Sequence, residues 1–420
     1  MNKSFVAVLL SCLPVIALAQ QEELRVNPEL GEETVAQQPC EYSELSFLDL
    51  SSNAIQLNGA DWENLRRAFR GTDSAIVRIL HIGDSHIQAE GATSRTRSHL
   101  QRHFGSAGRG LVAPLRIAGT NAPSDYSLKS ASTFTSSRLL KKPWNVTPGF
   151  SGVAVKPESS SFTLNITCEH SFERMRIYSS GAPIEVRDAA PGLLAGYETL
   201  SDGITDVVLA GKTTDVDLFL HSAGGCSITA IELLDDQKGV EYSAIGNNGA
   251  TFGSYSSIPD FGASVASLCP DLIVLSLGTN EAFGRTTNDG MRAQIHMLVE
   301  DIRAHNPSAV LLLTTPQECY RRSYIRRGKG RKRRRVRTYS VNSNVERMRN
   351  IISDYGKENG IAVYDWYQVA GGSGSGAKWL DRRLMNTDRI HLTWDGYHLM
   401  GDLFASALLN EINRYSPDDI

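Results

Sequence analysis

The stretch Leu272-Ile-Val-Leu-Ser-Leu277, bounded by Pro270 and Gly278, is apolar at almost every position. A strand wetted on one face would alternate apolar and polar residues. A continuous apolar run of strand length fits a parallel sheet covered on both faces. Ala309-Val-Leu-Leu-Leu-Thr314 repeats the pattern, and Ala75–Leu80, Tyr242–Ile245 and Ile361–Tyr364 give further strands. Helical periodicity lies between them. Trp62, Leu65 and Phe69 share a face over 61–69, and helices are predicted over 89–104, 288–305, 344–358 (stopped by Gly360) and 395–412. Five strands alternating with helices predict an α/β domain, a three-layer arrangement around a parallel sheet.

That alternation is interrupted. From about residue 120 to 240 Ser, Thr and Gly rise, and short alternating runs take over: Phe162–Ile166, Arg174–Tyr178, Val207–Leu209, Val216–Leu220 and Ile228–Leu233. Ser180-Gly181, Asp202-Gly203, Gly211 and Gly224-Gly225 read as the turns between them. This spacing predicts an all-β sandwich or jelly roll inserted into the α/β domain. The expected division is 1–19 signal peptide, 20–42 polar lead-in, 43–119 first part of the α/β domain, 120–240 inserted β domain, and 241–420 second part.

The first segment has a positive Lys3, an apolar stretch from Phe5 to Ile16, and Ala17-Leu18-Ala19 as a cleavage site. It is too short to span a bilayer and predicts a secreted or periplasmic protein with no integral membrane segment. Cleavage would remove Cys12 and leave an odd set of cysteines, which argues against a full disulfide framework. Cys168 and Cys226 could pair in an oxidising compartment or stand as two buried thiols. No Cys/His cluster has zinc spacing. Eleven Lys/Arg and no acidic residue lie between Arg321 and Arg337, in a chain whose net charge is −3. This is either a solvated loop or a clamp for a polyanion. A signal peptide argues against nucleic acid as the partner.

Residues 81–86 read His-Ile-Gly-Asp-Ser-His, directly after an apolar strand. Ser85 is therefore presented on a tight turn at the C-terminal edge of a strand, where open α/β sheets hold ligands. Far away, Asp388-Arg-Ile-His391 places a carboxylate within reach of an imidazole Nδ1, leaving Nε2 to accept a serine proton. Asn280 follows the 272–277 strand and Gly249 follows the 242–245 strand, so both arrive at the same sheet edge. The Ser85 and Gly249 N–H groups and the Asn280 amide would make three donors for an oxyanion. Each feature alone is an ordinary turn or cap. Their arrival at one edge of the sheet makes Ser85, Asp388 and His391 the candidate catalytic set. Acyl transfer of this kind needs neither metal nor cofactor. No Gly-x-Gly-x-x-Gly follows the first strand, which sets a dinucleotide fold aside.

Gly83-Asp84-Ser85, Gly249, Gly278-x-Asn280 and Asp388-x-x-His391 resemble the four blocks of the SGNH (GDSL-type) hydrolase superfamily. The resemblance implies a flavodoxin-like parallel sheet. Ser85 would be the nucleophile, His391 the base, Asp388 its orienting carboxylate, and Ser85, Gly249 and Asn280 the oxyanion donors. Glu281 stands where the third block usually has Asp. With Gly108-Arg-Gly-Leu111 and a β insert before the second block, the chain is similar to secreted peptidoglycan O-acetylesterases whose insert resembles a carbohydrate-binding module. The expectation is a serine esterase acting on an acetylated polysaccharide, most simply peptidoglycan. A xylan or capsule acetylesterase, or a non-catalytic glycan- or polyanion-binding protein on the same scaffold, are the alternatives. Arg331, Arg333 and Arg334 of the basic stretch, absent from the superfamily pattern, are candidate substrate-binding residues.

Overall fold

The computed structural model describes residues 45–414 except 191, 202, 236–237 and 329–332. The segments read from sequence as signal peptide and lead-in therefore lie outside the described residues, as do Cys12, Cys40 and Arg331. Among the described residues no helix is long and apolar enough to cross a membrane.

The strands in chain order begin with Ile55–Gln56 (β1), Ile76–Gly83 (β2), Gly108–Val112 (β3), Tyr126–Lys129 (β4), Phe134–Arg138 (β5) and Val153–Pro157 (β6). Ser161–Gly181 (β7), Glu185–Ala190 (β8), Leu194–Ser201 (β9), Ile204–His221 (β10), Cys226–Leu234 (β11) and Gly239–Gly246 (β12) follow. Leu272–Ser276 (β13), Val310–Thr314 (β14), Tyr320–Arg327 (β15), Arg334–Val341 (β16) and Ala362–Tyr364 (β17) complete the set.

The predicted parallel strands assemble in the spatial order β12-β2-β13-β14-β17, with the two-residue β1 adding an antiparallel edge beside β17. The earliest parallel strand thus lies between the second and the third, which is the flavodoxin-like order. The apolar runs are covered on both faces, as their composition requires. Leu272, Val274 and Leu312 pack with Leu65, Phe69, Leu100, Leu403 and Leu408 of helices 63–70, 91–104 and 394–412. Ile273, Leu275, Leu311 and Leu313 pack with Met291, Ile295, Leu298, Met348 and Ile352 of helices 288–305 and 344–358. The topological switch point falls between β2 and β13, where connections leave in opposite directions and open a crevice.

The β-rich stretch forms a nine-stranded antiparallel sheet with its own core, built around Leu164, Phe172, Met175, Leu218 and Ile231. Two features differ from the sequence reading. The runs 162–166 and 174–178 are one strand, β7, and 207–209 and 216–220 are one strand, β10. Gly211 lies inside β10 rather than in a turn. The β10–β7 register slips between Val208 and Thr213 and again before Asp215. Such bulges let a strand bend and continue pairing without a turn. Cys168 and Cys226 are separate buried thiols.

The helix predicted over 89–104 begins two residues later, at Gly91. A four-residue helix, Ser85–Gln88, ends at Ala89, and a second runs Gly91–Phe104. Between them Glu90 takes φ +57°. Its buried carboxylate accepts from Arg109 Nη2 at 2.9 Å and pairs with Arg97. Arg109, fully enclosed, also holds Asp125 through two hydrogen bonds of 3.0 Å. Two arginines and two carboxylates therefore tie the active-site side of the α/β domain to β3, which pairs with β11 of the antiparallel sheet. Replacing Arg109 by Met leaves Glu90 and Asp125 short of a buried cation. The expected loss is about 3–5 kcal/mol of stability. A lowered urea-unfolding midpoint would report it, with exposed Arg116→Met as the control that stays near wild type.

Candidate active site

Ser85 opens the short helix at the end of β2. Asp84 caps that helix, its Oδ1 accepting from the His86 N–H at 2.9 Å. Gly83 is forced by packing: a Cβ there would lie 2.3 Å from Ile87 Cγ1 and 2.8 Å from the Ser276 carbonyl oxygen. Tyr255 Oη donates to the Gly83 carbonyl at 2.7 Å and fixes the turn. The Ser85 hydroxyl is thereby placed at the switch-point crevice.

His391 and Asp388 arrive from the loop before the last helix. His391 Nε2 is 2.8 Å from Ser85 Oγ, and Nδ1 is 2.6 Å from Asp388 Oδ2. The other carboxylate oxygen, Oδ1, accepts the backbone N–H groups of Ile390 at 3.0 Å and His391 at 3.1 Å. Burial opposes ionisation of Asp388, but the His391 hydrogen bond and these two N–H groups outweigh it and bring the carboxyl to about 2. The same bond to Asp388 raises the imidazole pKa against the opposing effect of burial. Ser85 and the distant Asp388–His391 pair thus form a hydroxyl–imidazole–carboxylate arrangement in the order required for proton abstraction from Ser85.

The expected oxyanion donors converge on the same edge. Gly249 has φ +84°, a conformation that favours glycine. Neither its N–H nor that of Ser85 is engaged within the described residues. Asn280 differs: its amide nitrogen donates to the Ala250 carbonyl at 3.0 Å and to Asp84 Oδ2 at 3.2 Å. Two backbone donors stand open and the side-chain donor is already occupied, more loosely on the Asp84 side.

Several residues that brace this edge were not singled out from sequence. Gln88 Oε1 accepts the Asn248 N–H at 2.6 Å, and its amide donates to the Asn121 carbonyl at 2.7 Å. Asn248 also reaches Asn121 Oδ1 at 2.6 Å. Leu140 lies over Gly249, its Cδ1 3.7 Å from where a Cβ would stand. Segments leading into and through the β domain therefore border the site. Glu281, the longer acid in the third block, accepts the Phe252 N–H at 2.8 Å and ties that block to the Gly249 loop. Burial raises its carboxyl to about 7. His86 hydrogen-bonds Tyr397 Oη at 3.0 Å, its ring centroid 5.2 Å from that of His391. Burial, then the neighbouring His391, lower its pKa to about 3, so it stays neutral and does not compete as a base.

The basic stretch is not a loop. β15 and β16 form a two-stranded ribbon from Tyr320↔Val341 to Arg327↔Arg334. Exposed Arg333 precedes β16 and exposed Arg334 begins it.

The fold and this edge define an α/β domain of the flavodoxin-like order that carries an antiparallel β domain and a Ser–His–Asp arrangement at its switch point. More particularly, residues 223–399 match the model of the GDSL-like lipase/acylhydrolase family. The match includes Gly249, Asn280, Asp388 and His391 and starts downstream of Ser85, which the β strands separate from the other blocks. Among solved structures the chain is similar to a peptidoglycan O-acetylesterase, at 20% identity and a TM-score of 0.68, covering 85% of this chain and 99% of that one. It is also similar to a lipase/acylhydrolase from Enterococcus faecalis, at 17% identity, covering 43% and 80%, with a TM-score of 0.31. An acetyl xylan esterase matches at 18% identity, covering 40% and 81%, with a TM-score of 0.30. No curated protein matches by sequence.

A base held by Asp388 must be neutral to act. Because the Asp388 bond raises the His391 pKa, the acid limb of kcat/KM on a small ester is expected above pH 6.5, the ordinary histidine value. In Asp388→Asn the limb should move down as the rate falls. A pH–rate profile checks both. His391→Ala should lose at least ~10³-fold in turnover of the same ester, and near-normal turnover would mean the base is another group.

Proposed function

We propose that the protein is a secreted serine esterase that removes O-acetyl groups from a glycan, with peptidoglycan as the substrate. The observation that carries this reading is the Asp388–His391–Ser85 relay facing two unengaged backbone N–H groups. Fold likeness over nearly the whole length of a peptidoglycan O-acetylesterase, β domain included, supports the choice of polymer. So does the signal-peptide pattern, which would place the chain at the wall.

In this reading Ser85 Oγ attacks the acetyl carbonyl carbon as His391 Nε2 takes its proton. The negative charge moves to the carbonyl oxygen, which the N–H groups of Ser85 and Gly249 receive. Collapse breaks the bond to the sugar oxygen. That oxygen takes the proton from His391 and leaves as a hydroxyl, with acetyl-Ser85 remaining. Water then attacks the acetyl carbon, passing its proton to His391, and acetate leaves as Ser85 recovers the proton. Throughout, Asp388 stays ionised and holds the imidazole orientation.

Wild type should release acetate from p-nitrophenyl acetate and Ser85→Ala should not. Equal activity in both, or none in wild type, would overturn the esterase reading. Mass spectrometry of O-acetylated peptidoglycan and of acetylated xylan after incubation tests the polymer. The expected result is a loss of about 42 Da per acetyl (C2H3O replaced by H, net C2H2O) from muropeptides and little from xylan. Preferential loss from xylan would move the substrate to another polysaccharide.

A further inference from the structure

The β15–β16 ribbon has two unlike faces. Directly paired residues of an antiparallel ribbon share a face, and the faces alternate along each strand. One face carries Arg322, Arg326, Arg335 and Arg337, interleaved with Tyr324 and Tyr339. The other carries Ser323, Ile325, Val336 and Thr338, with Arg327 and Arg334 at its far end and, at its base, Ser340 and Arg321, the latter hydrogen-bonded to Asn342 and the Ala282 carbonyl. All four arginines of the first face are exposed. No acidic residue occurs between Glu318 and Glu346, and among the described residues none of the four makes an ion pair. Tyr324 orients two of them, with Arg335 3.8 Å and Arg322 5.9 Å from its ring centroid.

Two details argue for a ligand. On the arginine face Arg326 lies directly opposite Arg335. Like charges in direct register destabilise a ribbon, and an anion seated on them removes the repulsion. The arginine face also ends at the catalytic loop. Tyr320 N–H donates to the Arg389 carbonyl at 2.9 Å, and Tyr339 Oη to the Thr387 carbonyl at 3.3 Å. The Arg389 guanidinium, between Asp388 and His391 in sequence, lies 4.2 Å from the Tyr339 ring centroid and 5.4 Å from that of Tyr320. A row of guanidinium groups thus runs from the ribbon to the residue beside the base.

We infer that the Arg/Tyr face of this ribbon is a binding site for carboxylates carried along an acidic glycan, holding the polymer whose esters reach Ser85. The inference rests on the glycan-esterase reading and adds the charge the polymer must bear. Guanidinium forks match carboxylates in a bidentate way, and eight residues of strand extend over roughly 27 Å, long enough to meet several of them. A membrane surface fits less well, because residues 328–333, which join the strands, include no large apolar side chain to insert.

The test uses the full chain with Ser85→Ala, so that binding is read without turnover, in co-sedimentation with insoluble peptidoglycan. Arg326→Gln with Arg335→Gln is expected to weaken binding about tenfold or more, as charge-assisted hydrogen bonds are lost. The register places Arg334, a candidate from sequence, on the face away from the arginine row, so Arg327→Gln with Arg334→Gln removes the same charge from the same ribbon and is expected to bind nearly as wild type. Amidating the carboxyls of the polymer should reproduce the loss. Equal weakening by both pairs, binding indifferent to amidation, or tighter binding to phosphatidylglycerol vesicles than to peptidoglycan would overturn the inference. Acetate release by the wild-type chain is read separately, so a failed ribbon and a failed esterase reading give different results.

Discussion

The Glu90 carboxylate is shared between two arginines that enter from different parts of the chain, and much of the molecule is arranged around that sharing. Arg97 belongs to the helix after the active-site turn, and Arg109 to the strand that joins the antiparallel sheet. Taking four charged groups out of water is costly, and a buried network of this kind is a poor source of net stability. What it supplies is geometry. Glu90 sits at the left-handed residue that ends the Ser85–Gln88 helix, so the network fixes where that helix stops. Gln88 is then left facing Asn248 and Asn121, and the Gly249 loop is held between the two halves of the molecule.

The same contrast between local and distant partners explains what could be read from sequence. β13 and β14 were legible because burial on both faces writes itself into consecutive residues. Asp388 and His391 were legible because their contact needs only a three-residue spacing. The break at Ala89-Glu90 was hidden, since its cause is a carboxylate whose partner lies in β3. Gln88 and Glu281 were hidden for the same reason: each acts on a backbone N–H of another segment. β7 and β10 read as four short strands because a register slip has no compositional mark. The ribbon at 320–341 was concealed by its charge. Tyr320 and Tyr324 on one strand and Tyr339 and Val341 on the other follow strand spacing, yet the arginines around them read as a solvated loop.

The electrostatics of the site turn on three ionisable groups kept in different states. Burial holds His86 neutral, so the charge that develops on His391 meets no second imidazolium beside it. Asp388, with two N–H groups and the imidazole around it, remains a carboxylate over the whole working range. Asp84 lies between these extremes: burial raises its pKa to about 6, against hydrogen bonding from His86 and the charge of His391.

Asp84 therefore carries a negative charge near neutral pH close to where an oxyanion would form, an arrangement that by itself would oppose the chemistry. Asn280 resolves part of that conflict. Its amide donates to Asp84 Oδ2 at 3.2 Å and so directs a dipole at the carboxylate. The other amide hydrogen points to the Ala250 carbonyl at 3.0 Å, one residue beyond the Gly249 N–H. For Asn280 to act as a third oxyanion donor, one of these bonds must yield, and the longer one to Asp84 is the cheaper to give up. Protonation of His391 in the transition state adds positive charge that favours ionised Asp84, which keeps that carboxylate an acceptor. The two backbone N–H groups have no such competitor among the described residues, so in the proposed mechanism the weight of oxyanion stabilisation falls on Ser85 and Gly249.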